Sequence, residues 1–288
     1  MSVRKPVFAG TWYPSGAGEC EQLINSFLKK TRFDADIQDE AVGGIVPHAG
    51  WPFSGDLACK VISAVRGNKD STQPDIVAVF GMHLPPGAQP HIMTRGSWQT
   101  PFGELDIAEE LAEPIASKYR CKIETPEDFT PDNTIELQLP FVKYFFGNAR
   151  LLPIGTPPSE TGIQLGPAVA EEASKQGLKI KIIGSTDLTH YGPSFGFTPA
   201  GTGREAFEWV KNKNDKQAID RMLAMDPEGV VREGLSNQNA CCAGAAAAAI
   251  AAARDLGSQK AYLVGYSSSY EKNPDSTFVG YGGVVYTL

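Results

Sequence analysis

The sequence predicts a three-layer α/β/α sandwich around a mixed, largely parallel central sheet. Two observations carry that expectation. Short apolar, β-branched runs alternate with stretches of helical periodicity, and no Ser/Gly linker, charge block or internal repeat divides the 288 residues, so one domain over 1–288 is expected. Ala41-Val-Gly-Gly-Ile-Val46 reads as a buried strand that stops at Pro47-His48, and Leu57 to Val65 as a helix. Pro74-Asp-Ile-Val-Ala-Val-Phe80 is a second buried strand, ending at Gly81-Met-His83. Helical patterns follow at Ile107 to Tyr119 and Thr134 to Phe146, then a strand at Arg150 to Ile154 and a helix at Gly162 to Gln176. Leu178 to Ile183 is the third clear strand, ending at Gly184-Ser-Thr-Asp187. Helices over Gly203–Asn212, Asp215–Ala224 and Ala243–Leu256 precede closing strands at Ala261–Tyr266 and Phe278–Tyr286.

Composition narrows the function classes. Hydrophobic residues make up 42% and charged residues 20%, the balance of a globular chain rather than a disordered one. Lys and Arg number 26 against 33 Asp and Glu, a formal charge of −7, so the cationic footprint of a nucleic-acid binder is missing. No polybasic segment suits an anionic membrane, and the start, Met1-Ser-Val-Arg-Lys-Pro, has no apolar signal-peptide core. The longest apolar run, Ala243 to Ala253, is about half of the roughly 20 residues that span a bilayer. Five scattered cysteines without a CxxC spacing argue against a disulfide framework or zinc ribbon and for a reducing, cytoplasmic compartment. The expected partner is a small-molecule or peptide ligand, with neither nucleic acid nor membrane; a mildly acidic composition specifies no oligomeric state.

The reactive residues collect where such a fold binds ligands. Open α/β sheets form a crevice outside the carboxyl ends of their strands. His48 follows the first strand, His83 the second, and Asp187 and His190 the third, while the fourth histidine, His91, lies in a loop. Each alone reads more readily as an ordinary hydrogen-bonded imidazole; three at equivalent positions favour a site. Asp187-Leu-Thr-His190 has the spacing at which a carboxylate supports a general base, and equally that of an N-capping turn. Cys241-Cys242 precedes an Ala-rich helix, where unpaired N–H groups favour thiolate, the metal-binding form. The alternative is a pair of small buried residues, and a vicinal pair is expected to turn at most one thiol into the crevice. Two imidazoles with one anionic donor leave metal positions open, and iron, copper and zinc all suit that donor set. A hydrolase with Cys241 as nucleophile and His190–Asp187 as base pair is the rival on residues alone. The sequence has no GxSxG, GxxxxGK[ST] or strand-linked GxGxxG pattern.

Ala9-Gly-Thr-Trp-Tyr-Pro14, Val46-Pro-His-Ala-Gly50, Thr100-Pro-Phe-Gly103, Ile135-Glu-Leu-Gln-Leu-Pro-Phe141, Ser185-Thr-Asp-Leu-Thr-His190 and Val279-Gly-Tyr281 resemble, in order, the motifs of the Memo family. Its bacterial and archaeal members are often called AmmeMemoRadiSam system protein B. The resemblance runs over nearly the whole chain. It implies a fold similar to the class III extradiol ring-cleaving dioxygenases, with a Cys in place of their iron-binding carboxylate. Carried onto this sequence, the implied metal ligands are His48, His83 and Cys241, with Cys242 as the alternative thiol. The implied ion is divalent, foremost Fe(II), with copper or zinc possible, and His190 with Asp187 takes the acid–base role.

Three departures bear on the site. Asn133 stands where the family usually has a histidine, Gly81-Met82-His83 is one residue shorter than the usual loop, and Cys242 replaces a common glycine. The functions implied are a dioxygenase-like oxidoreductase acting on a small molecule or a non-catalytic metal- or peptide-binding module. In the second case Trp12, Tyr13, Trp51, Phe53 and Trp98 would line a recognition groove; otherwise they are core.

Overall fold

The computed structural model describes residues 2–29, 37, 39–67 and 73–288. In chain order its strands are β1 (Val3–Arg4), β2 (Ala41–Val46), β3 (Ile76–Gly81), β4 (His91–Met93), β5 (Ser97–Thr100), β6 (Gly103–Asp106), β7 (Lys122–Glu124), β8 (Arg150–Gly155), β9 (Ile180–Ser185), β10 (His190–Tyr191), β11 (Lys260–Ser268) and β12 (Phe278–Thr287). Its helices are α1 (Ala17–Lys29), α2 (Asp56–Arg66), α3 (Glu109–Tyr119), α4 (Asn133–Glu136), α5 (Leu139–Phe146), α6 (Glu160–Lys175), α7 (Arg204–Trp209), α8 (Asp215–Leu223), α9 (Pro227–Asn237), α10 (Ala243–Asp255) and α11 (Ser269–Lys272).

Nine strands form one sheet along the path β10-β12-β2-β9-β3-β8-β4-β7, with β11 paired to β12. Its centre, β2-β9-β3-β8, is parallel throughout. The flanks change direction: β12 runs antiparallel to β2, and β4 antiparallel to β8. The sheet is therefore mixed, and its parallel part is the part that carries the site. Every residue of β2, β3 and β9 is buried, which is why these segments read as unbroken apolar runs.

Helices cover both faces. On one side α10 packs on β9, β2 and β3 and against α6 and α9; on the other α2 packs on β2 and β12 and against α1 and α5. All of Ala243–Ala253 is buried, because α10 lies between the sheet and other helices and has no solvent face. Its small side chains allow very close approach. At Gly166 of α6, an added methyl would overlap Ala248 O and sit 2.8 Å from Ala252 N.

Several elements depart from the sequence expectation. The small sheet β1-β5-β6 was not anticipated, its strands being too short to show a period. Helices α1 and α9 also lie outside the sequence expectation, although both carry signals. Cys20, Ile24 and Phe27 share the buried stripe of α1, and Asp226 caps α9 by accepting from Gly229 N, with Pro227 in its first turn. The two helices expected at Gly203–Asn212 and Asp215–Ala224 are one run, joined by a π-helical turn over Val210–Asn214. The stretch Thr134–Phe146 divides instead into α4 and α5. Among the described residues no helix is long and apolar enough to cross a membrane.

The five aromatic residues split. Tyr13, Trp51 and Trp98 belong to the core, where Trp51 stacks on Phe141 at 4.2 Å and donates its indole N–H to Leu137 O. Trp12 and Phe53 are exposed.

Candidate metal centre

The three central strands deliver their reactive residues to one place because β2, β9 and β3 are neighbours in register, with Val46 opposite Ser185 and Phe80 opposite Gly184. His48 lies two residues past the end of β2, His83 two past β3, and Asp187 two past β9. The cysteine pair arrives from the far end of the sequence. Cys241 N donates to Asp187 O at 3.1 Å, and Cys242 N donates to Thr186 Oγ1 at 3.0 Å, so the loop after β9 holds the turn that leads into α10.

His48, His83, Cys241 and Cys242 each offer a donor atom, and these four atoms lie within 4.8 Å of one another. Sγ of Cys241 and Nε2 of His48 are 3.2 Å apart, and the two imidazole rings meet nearly edge to face, with centroids 5.1 Å apart. The sequence expectation of one inward thiol is corrected here: both reach the cluster. The turn over 241–242 replaces the extended backbone that would have sent them to opposite sides.

Each imidazole is held from behind. The Ser185 hydroxyl donates to Thr134 O at 2.7 Å, so toward His48 Nδ1, 3.1 Å away, its oxygen must accept. His48 therefore carries a proton on Nδ1 and turns Nε2 toward the cluster. His83 Nδ1 lies 3.0 Å from Asp132 Oδ2, the carboxylate–imidazole pairing common behind metal ligands, which turns its Nε2 toward the cluster. Asp132 is itself fixed, since its Oδ1 accepts from Thr134 N as the N-cap of α4. Ser185 and Asp132 are additions to the site residues expected from the sequence.

The loop before His83 is held tightly. Met82 takes a positive φ of 71°, and its N–H donates to Thr134 Oγ1 at 2.6 Å. At Gly81 an added methyl would overlap Thr134 Oγ1 and sit 2.6 Å from Ile135 Cγ1, so the end of β3 rests directly on α4. Asn133 uses its amide to donate to His48 O at 2.9 Å. It braces the chain beneath the first imidazole.

Asp187 faces two ways. Its Oδ1 accepts from His48 N at 2.7 Å, while Oδ2 lies 3.8 Å from His190 Nε2 and 3.9 Å from His48 Nε2. The His190 contact is an ion-pair distance, longer than the hydrogen bond with which a triad carboxylate fixes its imidazole. Among the described residues His190 Nε2 has no hydrogen-bond partner, although that atom is buried.

The electrostatics follow from this crowding. Burial works against a charged Cys241, but the Cys242 S–H hydrogen bond and the imidazoles of His48 and His190 outweigh it and hold the thiol well below its usual range. Cys242 moves the other way, raised by burial and by the neighbouring Cys241 charge. Burial would lower His83 and His190. Asp132 and Cys241 reverse this for His83, Asp187 and Cys241 for His190, and both are raised to about 10. Burial raises the Asp132 carboxyl, but the His83 and Thr134 hydrogen bonds more than offset it and bring it below the usual carboxylate range.

Beside the cluster opens a crevice of about 370 Å³, lined by Leu84, Leu188, Phe195 and Leu235, with His190 and Cys241 at its polar end. The His190 ring leans on Phe195, centroids 4.8 Å apart. The space suits a small, largely apolar molecule.

Fold and site together define an α/β sandwich protein with a candidate metal centre at the carboxyl ends of its parallel strands. The family model described as Memo-like protein matches residues 4–285, and the chain belongs to the Memo family. It is similar to a MEMO1 family protein of Pyrobaculum aerophilum, 31% identical over 297 residues, covering 99% of both chains. Another of Methanosarcina acetivorans is 31% identical over 292 residues with the same coverage. Among solved structures, an uncharacterized protein from Escherichia coli K12 overlays with a TM-score of 0.46 at 11% identity, covering 84% of this chain and 98% of that one.

Proposed function

We propose that this protein is a metal-dependent oxidoreductase of dioxygenase-like chemistry, acting on a small, largely apolar molecule bound in the crevice beside His190. The observation that carries the reading is the pairing of two imidazoles, each anchored through Nδ1, with the Cys241 sulfur at their Nε2 side. His48, His83 and Cys241 would hold a divalent ion, with Fe(II) the first candidate and copper or zinc the others. Three protein donors of this kind give a bound ion open positions and redox reach.

The chain's own residues do the rest. Leu84, Leu188, Phe195 and Leu235 exclude water and orient the apolar body of the ligand, while its polar end meets His190. His190, beside the Asp187 carboxylate, would pass a proton at Nε2 to an oxygen of the bound molecule, with Asp187 stabilising the imidazolium. Asn133 and Ser185 keep His48 in place throughout.

The test is reconstitution with Fe(II) under anaerobic conditions, then metal stoichiometry and dioxygen uptake with a panel of phenols and catechols. One ion per chain with ligand-dependent uptake supports the reading. A bound ion with no turnover on any member favours the non-catalytic module. That alternative has its own support, since Trp12 and Phe53 are left exposed.

A further inference from the structure

Cys242 is not needed by the three-donor centre, yet it is built into it. Its side chain is buried, its N–H is fixed on Thr186, and its sulfur lies within the same 4.8 Å set as His48, His83 and Cys241. A tetrahedral ion with metal–nitrogen and metal–sulfur bonds of about 2.0 and 2.3 Å needs donor separations of about 3.3–3.8 Å. His48 Nε2 and Cys241 Sγ already stand at 3.2 Å, so small side-chain rotations close the remaining gaps.

We infer that Cys242 is a fourth donor at this centre, engaged by a thiophilic ion such as Zn(II) or Cd(II) and left unbound when His48, His83 and Cys241 hold Fe(II). The inference rests on the reading that His48, His83 and Cys241 hold metal, and it adds selectivity to it. As the second sulfur binds, the Cys242 S–H bond breaks, its electron pair becomes the new metal–sulfur bond, and its proton passes to solvent. Soft thiolates favour zinc and cadmium over iron, and a second one steepens that preference. With Zn(II) or Cd(II), four protein donors complete a tetrahedron and close the centre, whereas Fe(II) on His48, His83 and Cys241 alone keeps open positions, so Cys242 decides which ions leave the centre open.

The test counts sulfur. Wild-type protein loaded with Zn(II) is measured by X-ray absorption, and Cd(II)-loaded protein by thiolate-to-metal charge-transfer absorbance, alongside Cys242→Ala and Cys242→Ser. Two sulfurs per ion are expected in the wild type and one in each variant, with the absorbance falling by about half in both. Cd(II) affinity should drop by more than about 100-fold in the variants, while Fe(II) affinity changes by less than about threefold. One sulfur in the wild type, with unchanged absorbance in the variants, overturns the inference and leaves the three-donor centre standing. Failure of the wild type to bind any of the three ions stoichiometrically overturns both. The wild-type sulfur count stands even where a variant fails to fold.

Discussion

Sγ of Cys241 lies 3.2 Å from Nε2 of His48 although 193 positions separate them, and Asp187 is the bracket that joins the two. Its carboxylate accepts from His48 N, and its main-chain carbonyl accepts from Cys241 N. Asp187 is almost fully buried, so deleting its side chain leaves a donor stranded.

Asp187→Ala should therefore cost roughly 1–3 kcal/mol of stability and much of the metal affinity. Asp187→Asn keeps an oxygen for His48 N but removes the charge beside His190. It should retain metal within about tenfold while slowing any turnover. Denaturant melts with metal titration check both, and equal metal loss in the two variants would contradict the bracket.

The partners behind the imidazoles are the next test. Ser185→Ala frees His48 Nδ1, and Asp132→Asn weakens the hold on His83 Nδ1. Each should lower metal affinity by about 10–100-fold with the fold intact. Asp132→Asn should disturb the start of α4 little, since asparagine is as good an N-cap as aspartate. Affinities measured by competition with a chelator decide it; wild-type values would mean that neither ring needs its support.

Much of this candidate site is legible in the sequence. His48, His83 and Asp187 each follow an apolar run, and a parallel sheet gathers the ends of such runs on one edge whatever the strand order. The order itself was not legible, because it depends on which crossover helix covers which face. The cysteine pair is marked by the helix start it precedes, but the choice of Cys241 and its grouping with the histidines come through resemblance, since nothing local says that the start of α10 meets β9. Ser185 and Asp132 escaped for a different reason. A serine at a strand end and an aspartate before a short helix are common as caps and turn residues, and only their distance to a ring reveals the second role. The continuous helix over 204–223 was hidden by Asn212 to Asp215, polar residues that read as a break, whereas the π-helical turn instead buries Asn214 and Asp215 against Thr189.

Gly81 offers a purely steric test. A methyl there collides with Thr134 and Ile135, and the displaced helix carries Asp132 with it. Gly81→Ala should destabilise the protein by about 1–3 kcal/mol and weaken metal binding as well. Gly87→Ala is the control, because nothing lies within 4 Å of a methyl at that position. Thermal melts of the two variants check the contrast. Equal melting temperatures would show that β3 and α4 are less tightly seated than described.

Asp215 gives the pH dependence. It is fully buried, with Thr189 N and Oγ1 donating to Oδ1 at 2.9 and 2.5 Å, and Tyr266 OH donating to Oδ2 at 2.8 Å. Burial raises the carboxyl more than these hydrogen bonds lower it, and it titrates at about 6 instead of 3.8. Between those values the folded state holds a proton that the unfolded chain has released, so stability falls as pH rises through the window. The stabilisation is complete below about pH 4 and gone above about pH 6, a change of roughly 3 kcal/mol. Asp215→Asn cannot titrate. The wild type should lose that much more stability than the variant between pH 4 and 7, measured by urea unfolding at each pH. Parallel stability curves for the two proteins would place the Asp215 proton elsewhere.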